Sequence, residues 1–489
     1  MTEEGEVGAV VGQGTIGGAL VSQAVLDDAV MDSFLPAGSP VLQAGGSELP
    51  AGSSELLQYG TIPVAPLMWV DDMLNPCETL AQARQANRKV NILLKERGLN
   101  LNKEKSVCLI IGTKGQKLKA SEALKDNPLM CGDNETKEKQ DEKWLGQYLS
   151  ARGLAASVEK TVNAREGKIR AAGREIAAIV EDWRSRAAGG LDTALLLWQA
   201  CCIPSLLAGS GAWVEMSRGV EKKLNKIQNW FLRLVLQVGP GAPLASLLWD
   251  TGLLDMGLLV WREKLMLTLH VRSLDEDSLA RRVYEEQKAN DWPGLGKEAQ
   301  DICLKLKIEC VTTTRLDAKK YRQVVTEGLH KENKIRLQKE ANNKTKCIRI
   351  LEEQYGKKAY LTDKNIQNTR FQFKARFKML PFADNYGSDK KFAKNEWLCI
   401  CRTSKESESH LLNGECQVYG QIRNKYGSLD SEDNLIEFFS EVLQERERLE
   451  EEEEEREMRG SPSGEGDTMD AASGGPRPPP AGLGAERPS

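Results

Sequence analysis

Two small groups of residues in this chain have the types and spacing for metal chemistry. The first is Asp71-Asp72, adjacent carboxylates that follow an apolar run, Thr61 to Met68, which reads as a strand. Carboxylate oxygens at a hairpin tip suit a hard divalent cation such as Mg²⁺. Two such ions held about 3.5–4 Å apart can activate a hydroxyl and stabilise a leaving pyrophosphate. By themselves, adjacent aspartates are as readily a turn or a helix start. The second group is Cys399, Cys401, His410 and Cys416. Three thiolates and one imidazole can close a tetrahedral Zn²⁺ site, with sulfur at ~2.3 Å and nitrogen at ~2.0 Å from the ion. The Cys-x-Cys spacing is tight, and three thiols beside an unrelated histidine would give the same letters. The chain has only three histidines, however, and His410 falls inside its Cys-dense segment. A closed set of this kind has no open position and is structural rather than catalytic.

A third feature is charge. The net charge of -4 hides a segregation. Arg315 to Lys378 holds 18 Lys/Arg against 7 Asp/Glu, whereas Glu441 to Ser489 holds 14 acidic against 6 basic residues. In the basic segment Lys357, Lys358, Arg370, Lys374, Arg376 and Lys378 alternate with Tyr355, Tyr360, Phe371, Phe373 and Phe377. Cations can neutralise phosphates and aromatic rings can stack on unpaired bases, so RNA or DNA is the expected partner. An ordinary pair of charged helices with its aromatics in a core would show the same pattern.

These residues need elements to hold them. Leu80 to Arg97 has helical apolar spacing, and Gly98 is a natural stop. Val107 to Ile111 reads as a strand, and Trp144 to Leu149 as a short apolar segment around Gly146. Helical patterns follow at Ala155 to Val180, Leu191 to Ala208, Val220 to Val238 and Leu244 to Leu274, with Gly239-Pro240-Gly241 as a breaker. Two further helices are expected over Lys319 to Tyr355 and Asp363 to Phe377, and a last one over Leu435 to Leu449 runs into Glu450 to Glu455. Gly460 to Ser489 is rich in Pro, Gly and Ser and is expected to be disordered. The stretch Val7 to Val25 is apolar, but Gly interrupts it and Glu3, Glu4 and Glu6 flank it, unlike a secretory signal. No run is long and apolar enough to suggest a membrane span. The eleven cysteines show no regular framework, so reduced thiols in the cytosol or nucleus are expected.

Taken in order, several short motifs resemble the reverse transcriptases of non-LTR retrotransposons. Gln13-Gly14 is similar to the family's Gln-Gly turn, and Trp69-Val70-Asp71-Asp72 to its aromatic-x-Asp-Asp metal hairpin, where Phe or Tyr and then Ala are more usual. Gly98-Leu99-Asn100-Leu101-Asn102-Lys103-Glu104-Lys105-Ser106 is similar to its Gly-Leu-x-Leu-Asn-x-x-Lys-Ser segment, and Trp144-Leu145-Gly146 to its primer-grip hairpin. His410-Leu411-Leu412 and Cys416 resemble the Cys/His knuckle after the polymerase in many such elements. The resemblance covers roughly residues 8 to 440. It implies an α+β fold: part of a polymerase palm at 1–150, a helical thumb and connection at 151–310, a basic helical segment at 311–395, a zinc-knuckle-like segment and terminal helix at 396–445, and a disordered acidic tail at 446–489. It assigns Gln13 and Gly14 to template and nucleotide, Asp71 and Asp72 to Mg²⁺, Lys105 to the nucleotide phosphates as a general acid for pyrophosphate, and Zn²⁺ to the knuckle. Without the resemblance Lys105 would be an ordinary surface lysine. The family's first catalytic carboxylate lies on a palm strand before the Gln-Gly turn, and none of Glu3, Glu4 or Glu6 sits in such a strand. Polymerisation by this chain alone is therefore expected to be negligible, since two-metal transfer needs carboxylates from separated strands.

Overall fold

The computed structural model describes residues 57–460, apart from 60, 61, 65, 66, 70, 71, 97, 99–101, 103, 104, 132, 133, 182–189, 215, 311–317, 343–354, 383–397 and 430. From Leu57 to Met73 the backbone alone is described. Gln13, Gly14, Asp71 and the Gly-rich opening thus lie outside the described residues, as do 461–489. The chain divides into two units, Met1–Leu380 and Pro381–Ser489.

The first unit opens with hairpins. Strands β1 (Leu57–Tyr59) and β2 (Ile62–Val64) pair antiparallel, as do β3 (Leu67–Trp69) and β4 (Asp72–Leu74). The single strand expected over Thr61 to Met68 is therefore two strands in separate hairpins. Helix α1 (Leu80–Glu96) follows, close to the expected span. A reciprocal cap starts it: Gln82 N–H donates to Thr79 Oγ1 at 3.1 Å, and Thr79 N–H donates to Gln82 Oε1 at 3.3 Å. Gly98, with φ 71°, turns the chain beyond it. The strand expected over Val107 to Ile111 is only β5 (Val107–Cys108). Helix α2 (Lys114–Asp126), which the periodicity does not reveal, has its own Thr113/Gln116 capping box. The Trp144 segment is a hairpin, β6 (Asp141–Trp144) with β7 (Gln147–Ser150). Every sheet among the described residues has two strands.

Helices then dominate. Helix α3 (Leu154–Glu181) packs on α6 (Arg218–Leu236), and Gly173 makes the close approach possible. A Cβ on Gly173 would stand 2.9 Å from Trp230 Cζ3. Between them run α4 (Gly190–Leu197), a π-helical turn (Trp198–Cys202) and α5 (Ile203–Leu207). Pro204 supplies no N–H to the ladder, and Ile203 N–H reaches back five residues to Trp198 O. Trp198 stacks on Phe231 with centroids 4.1 Å apart, at the centre of the main core. Gly190–Leu207 is long and apolar enough to cross a membrane by composition, as is the pair Leu244–Thr251 and Met256–Ser273 across its 55° bend. Leu191, Ala194, Trp198 and Leu206 are instead spent on this core.

Helices α7 (Leu244–Thr251) and α8 (Met256–Ser273) carry the helical block expected over Leu244 to Leu274, split at the left-handed Gly252. A smaller cluster joins α8, α9 (Leu279–Ala289) and α10 (Leu295–Leu306) through Val271, Val283, Tyr284 and Leu295, with Leu74 and Trp144 packed against it. This contact ties the β3–β4 and β6–β7 hairpins to the helical body. The basic segment contributes α11 (Ala318–Ala341) and α12 (Ile366–Arg376), the latter three residues later in its start than expected.

The second unit holds short helices α13 (Glu408–Leu412) and α14 (Gly420–Tyr426) and the long α15 (Glu432–Gly460). Phe382, Phe438 and Phe439 form its aromatic core. The acidic stretch from 446, expected in a disordered tail, is helical to Gly460. Arg448 bonds to both Glu445 and Glu452, spacings of three and four that support a helix surface. The fold as described is α+β, mostly helical with a minor set of strands.

Candidate metal centre

The Cys399–Cys401 pair sits in a tight turn. Leu398 and Lys405 form an antiparallel bridge across it, Cys399 N–H donates to Ser404 O at 2.9 Å, and Arg402 N–H donates to Cys399 O at 2.7 Å. Arg402 takes φ 59° to close the turn. Ser407 then caps α13, its Oγ accepting from His410 N–H at 3.1 Å, and the helix carries His410 inward. Gly414, with φ 74°, reverses the chain and brings Cys416 back. Ordinary turn and capping chemistry thus brings four potential ligands to one point.

Their ligand atoms all lie within 4.8 Å of one another. Cys399 Sγ is 3.5 Å from Cys416 Sγ, and Cys401 Sγ is 3.3 Å from His410 Nε2. Bonds of ~2.3 Å to sulfur and ~2.0 Å to nitrogen in a tetrahedron require edges of roughly 3.5–3.8 Å. The sulfur–sulfur edge falls in that range and the sulfur–nitrogen edge just below it, so the cluster could hold a single small ion. Cys399, His410 and Cys416 are buried and Cys401 is partly exposed. Burial drives the Cys399 thiol well above its ordinary range. Burial also opposes ionisation of Cys401, but the hydroxyl and backbone N–H of Thr403, and the His410 ring, hold it down to about 6. Thiols this close do not ionise together unaided. A divalent cation would supply the charge that lets them, and the donor set fits a soft or borderline ion such as Zn²⁺. It is the one grouping of metal-ligating side chains found among the described residues.

Of the acidic pair only Asp72 is described, and by its backbone alone. Trp69 pairs with Asp72 across the β3–β4 hairpin, and Asp71 lies outside the described residues. Lys105 is exposed in a turn, its N–H donating to Asn102 Oδ1 at 3.2 Å.

The basic segment divides sharply. Arg376 is buried, its Nε 2.6 Å from Asp250 Oδ2, and Tyr360 OH donates to the same oxygen at 2.8 Å. Burial pushes the Asp250 carboxyl up, against the pull of the Arg376 guanidinium. Arg370, 2% exposed, donates from Nε to Val235 O at 2.8 Å and also bonds Glu181. Phe373 and Phe377 are buried beside them. The expectation that Arg370 and Arg376 contact nucleic acid is therefore corrected: their charges are spent inside the fold. Lys374 is half-buried, and burial together with Arg370 lowers its pKa. Lys357 is exposed and pairs with Asp192, Lys358 N–H donates to Asp250 O at 3.0 Å, and Lys378 is exposed at the end of α12. Sequence reasoning missed Asp250 and Glu181, which lie 126 and 189 residues from their arginines. It also missed Ser404 and Thr403, although both stand between the first two ligands and the histidine.

Comparison with protein-family models and with curated protein sequences gives no match.

Proposed function

We propose that this chain is a zinc-stabilised, nucleic-acid-binding protein akin to the reverse transcriptases of non-LTR retrotransposons. The observation that carries the reading is the convergence of Cys399, Cys401, His410 and Cys416 on one ion-sized position. These are the residues that the resemblance to the family's knuckle singles out. On this reading Zn²⁺ neutralises the thiolates and supplies folding energy to a segment with a small core of its own. Exposed lysines of the first unit, Lys357 and Lys378 among them, neutralise RNA or DNA phosphates. The hairpins at Trp69/Asp72 and Trp144/Gln147 support the wider resemblance, because each motif falls on a tight antiparallel turn.

The test is fluorescence anisotropy with single-stranded RNA and DNA at 50 and 200 mM salt. Affinity is expected to fall steeply with salt, and Lys378→Glu to weaken binding to all sequences and reduce the salt slope by about 1. No binding at low salt would end the proposal.

A second reading, an RNA-directed DNA polymerase using Mg²⁺ at Asp71 and Asp72, is favoured by the backbone pairing of Trp69 with Asp72. It calls for a further carboxylate from a separate strand. Metal-dependent primer extension that Asp71→Ala abolishes would establish it.

A further inference from the structure

In the Cys/His cluster the imidazole shows one nitrogen to the thiols and the other to the protein. Nε2 faces Cys401 Sγ at 3.3 Å, which makes it the ligand nitrogen. A nitrogen that gives its lone pair to a metal carries no proton, so the ring proton resides on Nδ1. Nδ1 lies 2.8 Å from Ser404 Oγ and 3.6 Å from Glu415 Oε2. The first distance is a hydrogen bond and the second is not. Glu415 is moreover 63% exposed, so water screens what it could offer.

Ser404 is well placed for more than a passing contact. Its carbonyl accepts the N–H of Cys399, so the backbone bond that sets the first thiol also sets the hydroxyl facing the ring. Lys405, next in sequence, is bridged to Leu398. The Ser404 backbone is thus anchored whatever its side chain. We propose that Ser404 is a positioning residue of this site. It accepts the Nδ1–H of His410, fixes the ring in that tautomer, and aims Nε2 at a zinc-class divalent cation. The inference rests on the Cys₃His reading above. It adds a fifth residue to the site, and makes the turn between Cys401 and His410 part of the metal-binding apparatus rather than a spacer. Partners of this kind orient metal-bound imidazoles in general.

The experiment uses the full chain with Co²⁺ and Zn²⁺, comparing wild type, Ser404→Ala, Ser404→Thr, Ser404→Val and Glu415→Gln. Zinc affinity is read by competition with a chromogenic chelator. Ser404→Ala is expected to bind zinc about tenfold more weakly, and Glu415→Gln to stay within about twofold of wild type. Thr and Val are nearly isosteric, so Ser404→Thr should exceed Ser404→Val by about tenfold even if either perturbs the turn. With only three histidines in the chain, nitrogen NMR of the rings should show a protected Nδ1–H on His410 in wild type and Ser404→Thr, and loss of that protection in Ser404→Ala. Equal affinities for Thr and Val, with the protected proton kept in Ser404→Ala, would overturn the role of Ser404. If wild type gave no tetrahedral Co²⁺ absorption, the metal site itself would fall and this role with it.

Discussion

Arg376 and Lys378 are two positions apart in a basic run, yet the structure gives them opposite duties. Arg376 is buried against Asp250, and Lys378 is exposed. Removing one partner of a buried ion pair strands the other charge, which typically costs about 3–5 kcal/mol. Asp250→Ala should therefore lower the urea midpoint by an amount equivalent to that loss, and Arg376→Met should likewise destabilise. Neither is expected to alter the salt slope of nucleic-acid binding, whereas Lys378→Glu should alter the slope and leave the urea midpoint within about 0.5 kcal/mol of wild type. The reverse pattern would show that Arg376 acts at the nucleic-acid surface. The same residues show what was legible beforehand. Charge density marked the segment as basic, but Asp250 and Glu181 are so distant in sequence that nothing local announced which arginines they would claim. The Cys/His ligands were legible because they lie within 18 residues and their types are chemically specific.

At the scale of elements, local chemistry was readable wherever it was short-ranged. The Leu80–Glu96 helix, the long Leu154–Glu181 helix and the Trp144 hairpin follow from apolar spacing and from glycine at a turn. The Thr61 to Met68 strand was misread because an apolar run shows strand propensity without showing where it must break. Helix Lys114–Asp126 was missed because its surface is mainly polar, although Thr113 and Gln116 formed a legible cap. In the Trp144 hairpin the connecting residues Leu145 and Gly146 have φ of 47° and 78°. Both central positions thus need left-handed backbone, which leucine tolerates poorly. Leu145→Asn should stabilise the first unit by about 0.5–1 kcal/mol in thermal unfolding. At the Leu154–Glu181 and Arg218–Leu236 crossing the sign reverses. Gly173→Ala would drive a methyl to 2.9 Å from the Trp230 ring, and an overpacked core of this kind is expected to lose about 1–3 kcal/mol.

Across the whole molecule, the chemistry separates by unit. The first unit is held by apolar helix packing around Trp198 and Phe231, and it needs no metal to explain its core. The second has a compact aromatic core and places three thiols and an imidazole together, an arrangement that could hold a metal ion. The metal should accordingly stabilise the second unit and leave the first little changed. Native mass spectrometry of the full chain, prepared without chelator and then with Cys416→Ser, tests this most directly. The account predicts one zinc ion per wild-type chain and none on the variant. A wild-type chain that carries no metal, or a variant that keeps it, would contradict the account.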